Sequence, residues 1–233
     1  MNKELFIKSL SELNITPTNL QLEQLEKYYN LLVEENKKYN LTAITNKEDV
    51  YLKHFYDSLT ISKIIKLSNQ SLCDIGTGAG FPGVVLKIFY PDLSITLVDS
   101  TLKKCNFLEM IINELNLKKI EVLNKRAEEF SKETREKYDI VTSRAVAPLK
   151  HLLEYSIPLL KVDGTYIAMK SDISKEIDGI SNYENKLSIK KANIIKFNLP
   201  IENSLRTLIS YKKLEKTNPI YPRKYNEIKK KDI

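Results

Sequence analysis

The 233-residue chain predicts an α/β fold: a mostly parallel, doubly wound sheet with a closing antiparallel strand, preceded by a helical N-terminal extension. Three observations carry this expectation. Strand-like and helix-like runs alternate from Ser71 to Met169, which is βα repetition covering both faces of a sheet. A glycine-rich turn, Asp74-Ile75-Gly76-Thr77-Gly78-Ala79-Gly80-Phe81-Pro82-Gly83, follows the first strand and opens a helix. A carboxylate, Asp99, closes the second strand sixteen residues past Gly83.

Residues 1–70 read as helical. Phe6, Leu10 and Leu13 fall at helical spacing, and Thr18 with Gln21 forms a capping-box pattern. Leu22, Leu25, Tyr29, Leu32 and Asn36 trace one stripe, apolar until its last member. Residues 38–45 break the period, and Asn46 can cap a third helix in which Leu52, Phe55 and Leu59 share a face. Strands are then expected over 72–75, 95–98, 120–123, 139–142 and 166–169, and helices over 84–89, 102–115, 127–137 and 149–160. The crossovers between parallel strands should be right-handed. A polar helix near 175–186 and two more strands, 189–197 and 205–212, complete the pattern. The organisation predicted is an extension over 1–70, a ligand-binding sheet domain over 71–214 and a basic tail over 215–233 with little to pack against.

Composition narrows the class. The formal charge is +7 and the pI about 9.1, which fits an anionic partner such as nucleic acid, although surface lysines are often only solvated. The tail from Tyr221-Pro222-Arg223-Lys224 to Lys229-Lys230-Lys231 concentrates that charge beside an aromatic ring. Two cysteines, Cys73 and Cys105, make neither a disulfide framework nor a metal site, and only two histidines are present. No apolar run is long enough to span a bilayer. The first residues lack the apolar core of a signal peptide. A cytoplasmic monomer, off the membrane and without metal, is expected.

The turn limits the cofactor. Glycines let backbone approach a ligand, and a carboxylate at the next strand tip takes ribose hydroxyls. Phe81 stands where a dinucleotide fingerprint needs its third glycine, and acidic Asp74 does not suit a phosphate cradle. S-adenosylmethionine, with a ribose, an ammonium and a sulfonium but no phosphate, fits Gly76, Gly78 and Asp99 better than NAD does. Asp74 either orients the turn or helps hold the ammonium. Pro82 suits a first helical turn, after which helix amides can meet the cofactor carboxylate.

Other constellations border the same crevice. Lys125-Arg126-Ala127-Glu128-Glu129 follows the third strand; its amides can read an adenine edge, or its acids can simply favour a helix start. Ser143 and Arg144 end the fourth strand, where chemistry usually sits. Arg144 needs a carboxylate, a phosphate or an aromatic face, supplied by Glu128, by RNA or by a structural ion pair. His54, Asp57 and Ser58 share one helix face, which cannot converge on one atom as a hydrolase triad must. That face is a polar rim of the crevice or plain surface. No Asn/Asp-Pro-Pro-Tyr loop or Pro-Cys pair follows the central strands, and no histidine is read there as a general base. A methyl acceptor should therefore own a free lone pair, as guanine N7 does. A methyltransferase for small molecules or proteins, and a non-catalytic ribosome-assembly factor, stay open as alternatives.

The glycine turn, with Tyr39-Asn40-Leu41-Thr42, His54-Phe55-Tyr56-Asp57-Ser58-Leu59, Arg126-Ala127-Glu128, Thr142-Ser143-Arg144-Ala145-Val146-Ala147 and Tyr221-Pro222-Arg223-Lys224, resembles the RsmG (GidB) family of bacterial small-subunit ribosomal RNA guanine-N7 methyltransferases. The resemblance runs from the N-terminal helices to the tail. It implies a Rossmann-like class I methyltransferase sheet, S-adenosyl-L-methionine as cofactor, and 16S rRNA, the small ribosomal subunit or its assembly intermediate as partner. It implies that Gly76 and Phe81 line the cofactor, that Ala127 and Glu128 meet its adenine end, and that Arg144, the one catalytic candidate, closes the site. Asn40, Thr42, His54, Lys170, Arg223 and Lys224 are then the candidate RNA contacts. After Lys224 this chain has Tyr225-Asn226-Glu227-Ile228-Lys229, where the family often has a Gly/Pro-containing, Lys-rich ending.

Overall fold

The computed structural model describes residues 1–144, 146–174 and 176–233. Ala145 of the resemblance motif, and Lys175 at the start of the expected polar helix, lie outside the described residues.

Two helices open the chain, α1 (Lys3–Ser11) and α2 (Asn19–Tyr39). The expected capping box forms: Thr18 Oγ1 accepts from Gln21 N–H and Gln21 Oε1 from Thr18 N–H, worth about 1 kcal/mol. Asn40 ends α2 in the left-handed region at φ 50°, a conformation asparagine tolerates better than most residues. The buried stripe of α2 is Leu25, Tyr28 and Leu32. Tyr28 takes the inward place expected of Tyr29; both positions fit a period of 3.6 residues, and packing against Phe81 chooses between them. The third helix is composite. A turn of α-helix, α3 (Lys47–Asp49), runs into π-helix over Val50–Tyr56, then α4 (Asp57–Leu59) and a 3-10 turn, Thr60–Lys63. π-helical widening is common at functional sites, and this one faces the crevice.

The sheet has seven strands: β1 (Ser71–Ile75), β2 (Ser94–Asp99), β3 (Ile120–Asn124), β4 (Tyr138–Arg144), β5 (Leu160–Lys170), β6 (Ile189–Asn198) and β7 (Leu205–Lys213). The order is β3-β2-β1-β4-β5-β7-β6. The first five are parallel; β7 is antiparallel to both β5 and β6. The interleaved helices are α5 (Gly83–Phe89), α6 (Leu102–Glu114), α7 (Ala127–Glu133), α8 (Leu149–Ser156) and α9 (Ile180–Lys186). Strand order reverses between β1 and β4, so ligands are expected beyond the carboxyl ends of these strands.

Two apolar clusters flank the sheet. Phe6, Leu25, Tyr28 and Phe55 of the N-terminal helices join Val84, Leu97 and Phe107 on one side, so the extension and the sheet share a core. Leu152, Tyr166 and Tyr183 form the other, which also takes in Tyr221 and Ile233 of the tail. The tail is therefore packed, contrary to expectation. Its helix α10 (Tyr225–Lys230) buries Ile228. Just before it, Arg223 grips the fully buried Glu154 with Nε and Nη2, both at 2.9 Å. The partner lies 69 residues away, out of reach of any local pattern. Among the described residues no helix is long and apolar enough to cross a membrane.

Candidate active site

A crevice of about 1600 Å³ opens where the fold predicts it. Small-molecule sites usually measure roughly 300–1,000 Å³, so this one has room for a cofactor and a second reactant. All seven proposed cofactor positions, Gly76, Gly78, Phe81, Asp99, Ala127, Glu128 and Arg144, line it. Of the RNA candidates, Thr42, His54 and Lys170 line it as well. Asn40 is an exposed helix cap outside it, and Arg223 and Lys224 line a separate groove near the tail.

The glycine turn divides its labour. Gly83 is a packing residue: a Cβ there would stand 2.2 Å from Leu97 Cδ2 and 2.9 Å from Asp74 Oδ2. It does the work that a dinucleotide fingerprint gives to a glycine at the position of Phe81. Gly78 faces open space, with nothing within 4 Å of a built Cβ, and its φ is +63°. Asp74 orients the turn, accepting from Thr77 Oγ1 at 2.7 Å and from the Gly83 amide at 2.9 Å through Oδ2. The first amide of α5 is thereby taken by Asp74, and Pro82 stands at the N-cap rather than in the first turn. Burial pushes the Asp74 carboxyl up to about 7, although these donors and the Arg144 charge pull it down. Tyr28 Oη donates to the Ala79 carbonyl and pins the turn to α2.

Asp99 accepts from the Gly78 amide at 3.0 Å and from the Thr101 amide at 2.9 Å. A carboxylate offers about four acceptor sites, so capacity remains for a ribose diol. With the open face of Gly78 beside it, this cradle fits S-adenosylmethionine. Ala127 and Glu128 border the same pocket, and so do His151, Tyr155 and Tyr225.

The opposite wall is built from side chains. Arg144 Nη1 donates to the Lys53 carbonyl at 2.8 Å and lies 3.5 Å from Asp57 Oδ2; Nη2 lies 3.2 Å from His54 Nδ1. Its guanidinium also sits over the Phe81 ring, 5.2 Å from the centroid. The carboxylate that satisfies Arg144 is thus Asp57, not Glu128. His54 stacks on Phe81 at 4.3 Å, and burial, with the Arg144 charge, holds its imidazole down at about 3. It is neutral at any physiological pH. Ser58 does not share this rim; its hydroxyl donates back to the His54 carbonyl. Ser143 points to the far face of β4, 2.7 Å from Tyr166 Oη, because successive strand residues alternate. Lys170 is held by Glu176 at 2.9 Å and by the Ala147 carbonyl at 2.6 Å.

Sequence reasoning missed Arg206, whose Nε donates to Asp57 Oδ2 at 3.2 Å from the antiparallel β7. It also missed Tyr28, and Tyr225 on the tail helix. The strand expected over 205–212 contained Arg206, but nothing in it said that this end met the crevice.

Strand order, crevice and carboxylate-tipped β2 together define a class I, S-adenosylmethionine-dependent methyltransferase. Solved structures agree on the fold. A SAM dependent methyltransferase from Aquifex aeolicus superposes with a TM-score of 0.53 at 13% identity, covering 77% of this chain and 97% of that one. A putative methyltransferase from Bacillus halodurans gives 0.55 at 14%, covering 68% and 99%. The family described as rRNA small subunit methyltransferase G (GidB) matches residues 21–205. Ribosomal RNA small subunit methyltransferase G of Mesoplasma florum is 48% identical over 226 residues, 94% of this chain and 92% of that protein. The chain belongs to this family.

Proposed function

We propose that this protein methylates N7 of a guanine in small-subunit ribosomal RNA. The observation that carries the choice of atom is the state of His54. It is the imidazole nearest Phe81, it is held neutral, and both ring nitrogens have polar neighbours. Burial makes it a weak base with both nitrogens engaged, and the other imidazole of the crevice, His151, is likewise lowered by burial. An acceptor nitrogen that already holds a lone pair needs no base, and guanine N7 is one. Held by Gly76, Gly78 and Asp99, S-adenosylmethionine would supply a sulfonium methyl whose C–S electron pair returns to sulfur on transfer to N7, giving a cationic 7-methylguanine and S-adenosylhomocysteine.

The protein's part is alignment. Phe81, clamped between His54 and Tyr28, gives the guanine a flat apolar edge. Arg144 holds the wall behind it. Fixing two reactants in line can supply on the order of 7–11 kcal/mol of a barrier. The N7 edge of an A-form helix is out of reach of side chains, so the target base enters unstacked or splayed.

The basic tail suits the rest of the RNA. A groove of about 910 Å³ beside α7 carries Lys132, Lys224, Lys230 and Lys231, and among the described residues none of these four has a carboxylate within ion-pair distance. Helix α10 separates the two hollows, Tyr225 and Lys229 lining the crevice and Lys224 and Lys230 the groove. That is one helix diameter, about 10–12 Å. Arg223, engaged by Glu154, anchors the tail.

Methyl-labelled cofactor should transfer label to 16S rRNA or to immature small subunits, at one guanine, as 7-methylguanosine. Replacing that guanine with 7-deazaguanine should abolish transfer. A protein that binds S-adenosylhomocysteine yet labels neither substrate would overturn the assignment.

A further inference from the structure

Guanine presents two acceptors along the edge that carries N7, namely N7 and O6, where adenine presents an amino donor beside N7. A site that accepts guanine and refuses adenine needs a donor that cannot turn into an acceptor. Hydroxyls ordinarily do both. Thr42 is placed so that it does not.

Thr42 Oγ1 accepts from the Ile44 amide at 3.1 Å and lies 3.0 Å from His54 Nε2. The direction of the second bond is set at the far side of the ring. Arg144 Nη2, which can only donate, lies 3.2 Å from Nδ1. The Lys53 carbonyl is also 3.2 Å from Nδ1 and has a second lone pair to offer, but a proton on Nδ1 would set donor against donor with the Arg144 guanidinium at 3.2 Å. Nδ1 is therefore the bare nitrogen, Nε2 carries the proton, and Nε2–H donates to Thr42. A threonine oxygen has two lone pairs and one proton. Both lone pairs are engaged, and among the described residues nothing accepts the proton. The backbone is fixed too, since the Thr42 amide donates to Asn36 Oδ1 at 2.8 Å. Thr42 lines the crevice on the side of Phe81 and His54.

We propose that the Thr42 hydroxyl reads the target base by donating its proton to guanine O6, with His54 and Ile44 fixing it as a donor. This rests on the guanine-N7 assignment above. Thr42 is a specificity-determining contact; His54 is a positioning residue that acts through it.

The test uses full-length protein and 16S rRNA ligated with analogues at the mapped acceptor. Inosine keeps O6 and N7. 2,6-Diaminopurine keeps N7 and replaces O6 by an amino group. Wild type should methylate inosine within a few-fold of guanine and 2,6-diaminopurine about 100-fold more slowly. Thr42→Val should lower kcat/KM on guanine by about 10- to 100-fold, the scale of one hydrogen bond whose partner is left unpaired, and bring the two bases within a few-fold of each other. Thr42→Ser should restore the preference, and S-adenosylhomocysteine affinity should be unchanged in both variants. Wild type that methylates 2,6-diaminopurine as fast as guanine overturns the proposal, whether or not Thr42→Val folds. So does Thr42→Val that binds S-adenosylhomocysteine and keeps the wild-type preference. If wild type leaves guanine itself unmodified, the N7 assignment fails first, a separate outcome.

Discussion

The two walls of the crevice differ in what they are made of. On the β1–β2 side the lining is backbone: a turn of glycines, an aspartate holding the Gly78 and Thr101 amides, and a buried Asp74 tying the turn to α5. On the other side it is side chains: Arg144, His54, Asp57 and Arg206, joined across 87 to 149 residues of sequence. The backbone wall is built mostly from contacts within about 20 residues of sequence, between a turn and the tip of the next strand. The side-chain wall exists only once β4, β7 and the π-helical segment have docked. Cofactor binding should therefore survive damage to the second wall better than stability does.

The largest expected effect tests the backbone wall. Gly83→Val places atoms where Leu97 and Asp74 already stand and should cost about 3 kcal/mol or more, seen as a fall in denaturation midpoint. At Gly78 an added Cβ meets no protein atom, and Gly78→Val should cost about 1–2 kcal/mol of backbone strain. By filling the cradle, it should still weaken S-adenosylhomocysteine binding by on the order of 100-fold in calorimetry. Wild-type affinity in Gly78→Val would place the cofactor elsewhere.

Asp57→Ala strikes the side-chain wall next. It leaves the largely buried Arg144 and Arg206 facing each other without their shared carboxylate, at about 3 kcal/mol. Cofactor affinity should fall much less than stability. The contrast between the walls is wrong if calorimetry shows the opposite ranking.

Asp74→Asn should have a smaller effect that depends on pH. The folded-state carboxyl is raised to about 7 by burial. Its contribution to stability is full below the ordinary carboxylate value and is lost as pH rises through about 7. The amide mimics the protonated form, so the unfolding free energy of the variant minus that of wild type should grow between pH 5 and pH 8, by roughly 2–3 kcal/mol. A difference that stays flat across that range would mean Asp74 is ionised throughout.

The smallest effect concerns the tail. Lys224→Glu should leave cofactor affinity alone and flatten the salt dependence of RNA binding by about 0.7–0.9 in log–log slope. An unchanged slope would remove the tail groove from the RNA path.

Legibility followed the same division. The glycine turn, Asp99 and the βα alternation are signals within thirty residues of each other, and pleat and helix periods translate directly into faces. The closing antiparallel strand was expected as well, from the strand-like run over 205–212. Arg144 was recognisable as an arginine in need of a partner, but Asp57 could not be chosen over Glu128, because nothing local says which helix docks against β4. Ser143 looked like a crevice residue until strand alternation turned it to Tyr166. The tail looked unattached because its anchor, Glu154, sits in another helix.

The sequence by itself determined the sheet, the cofactor turn and the capped second helix, since each follows from short-range periodicity, backbone sterics and hydrogen-bonding capacity. Only the tertiary structure decided the neighbours of His54, the partner of Arg144, the inward turn of Tyr28 and the seat of the tail. Those depend on which distant groups burial brings together, and a buried charge or hydroxyl takes whatever partner the packing provides.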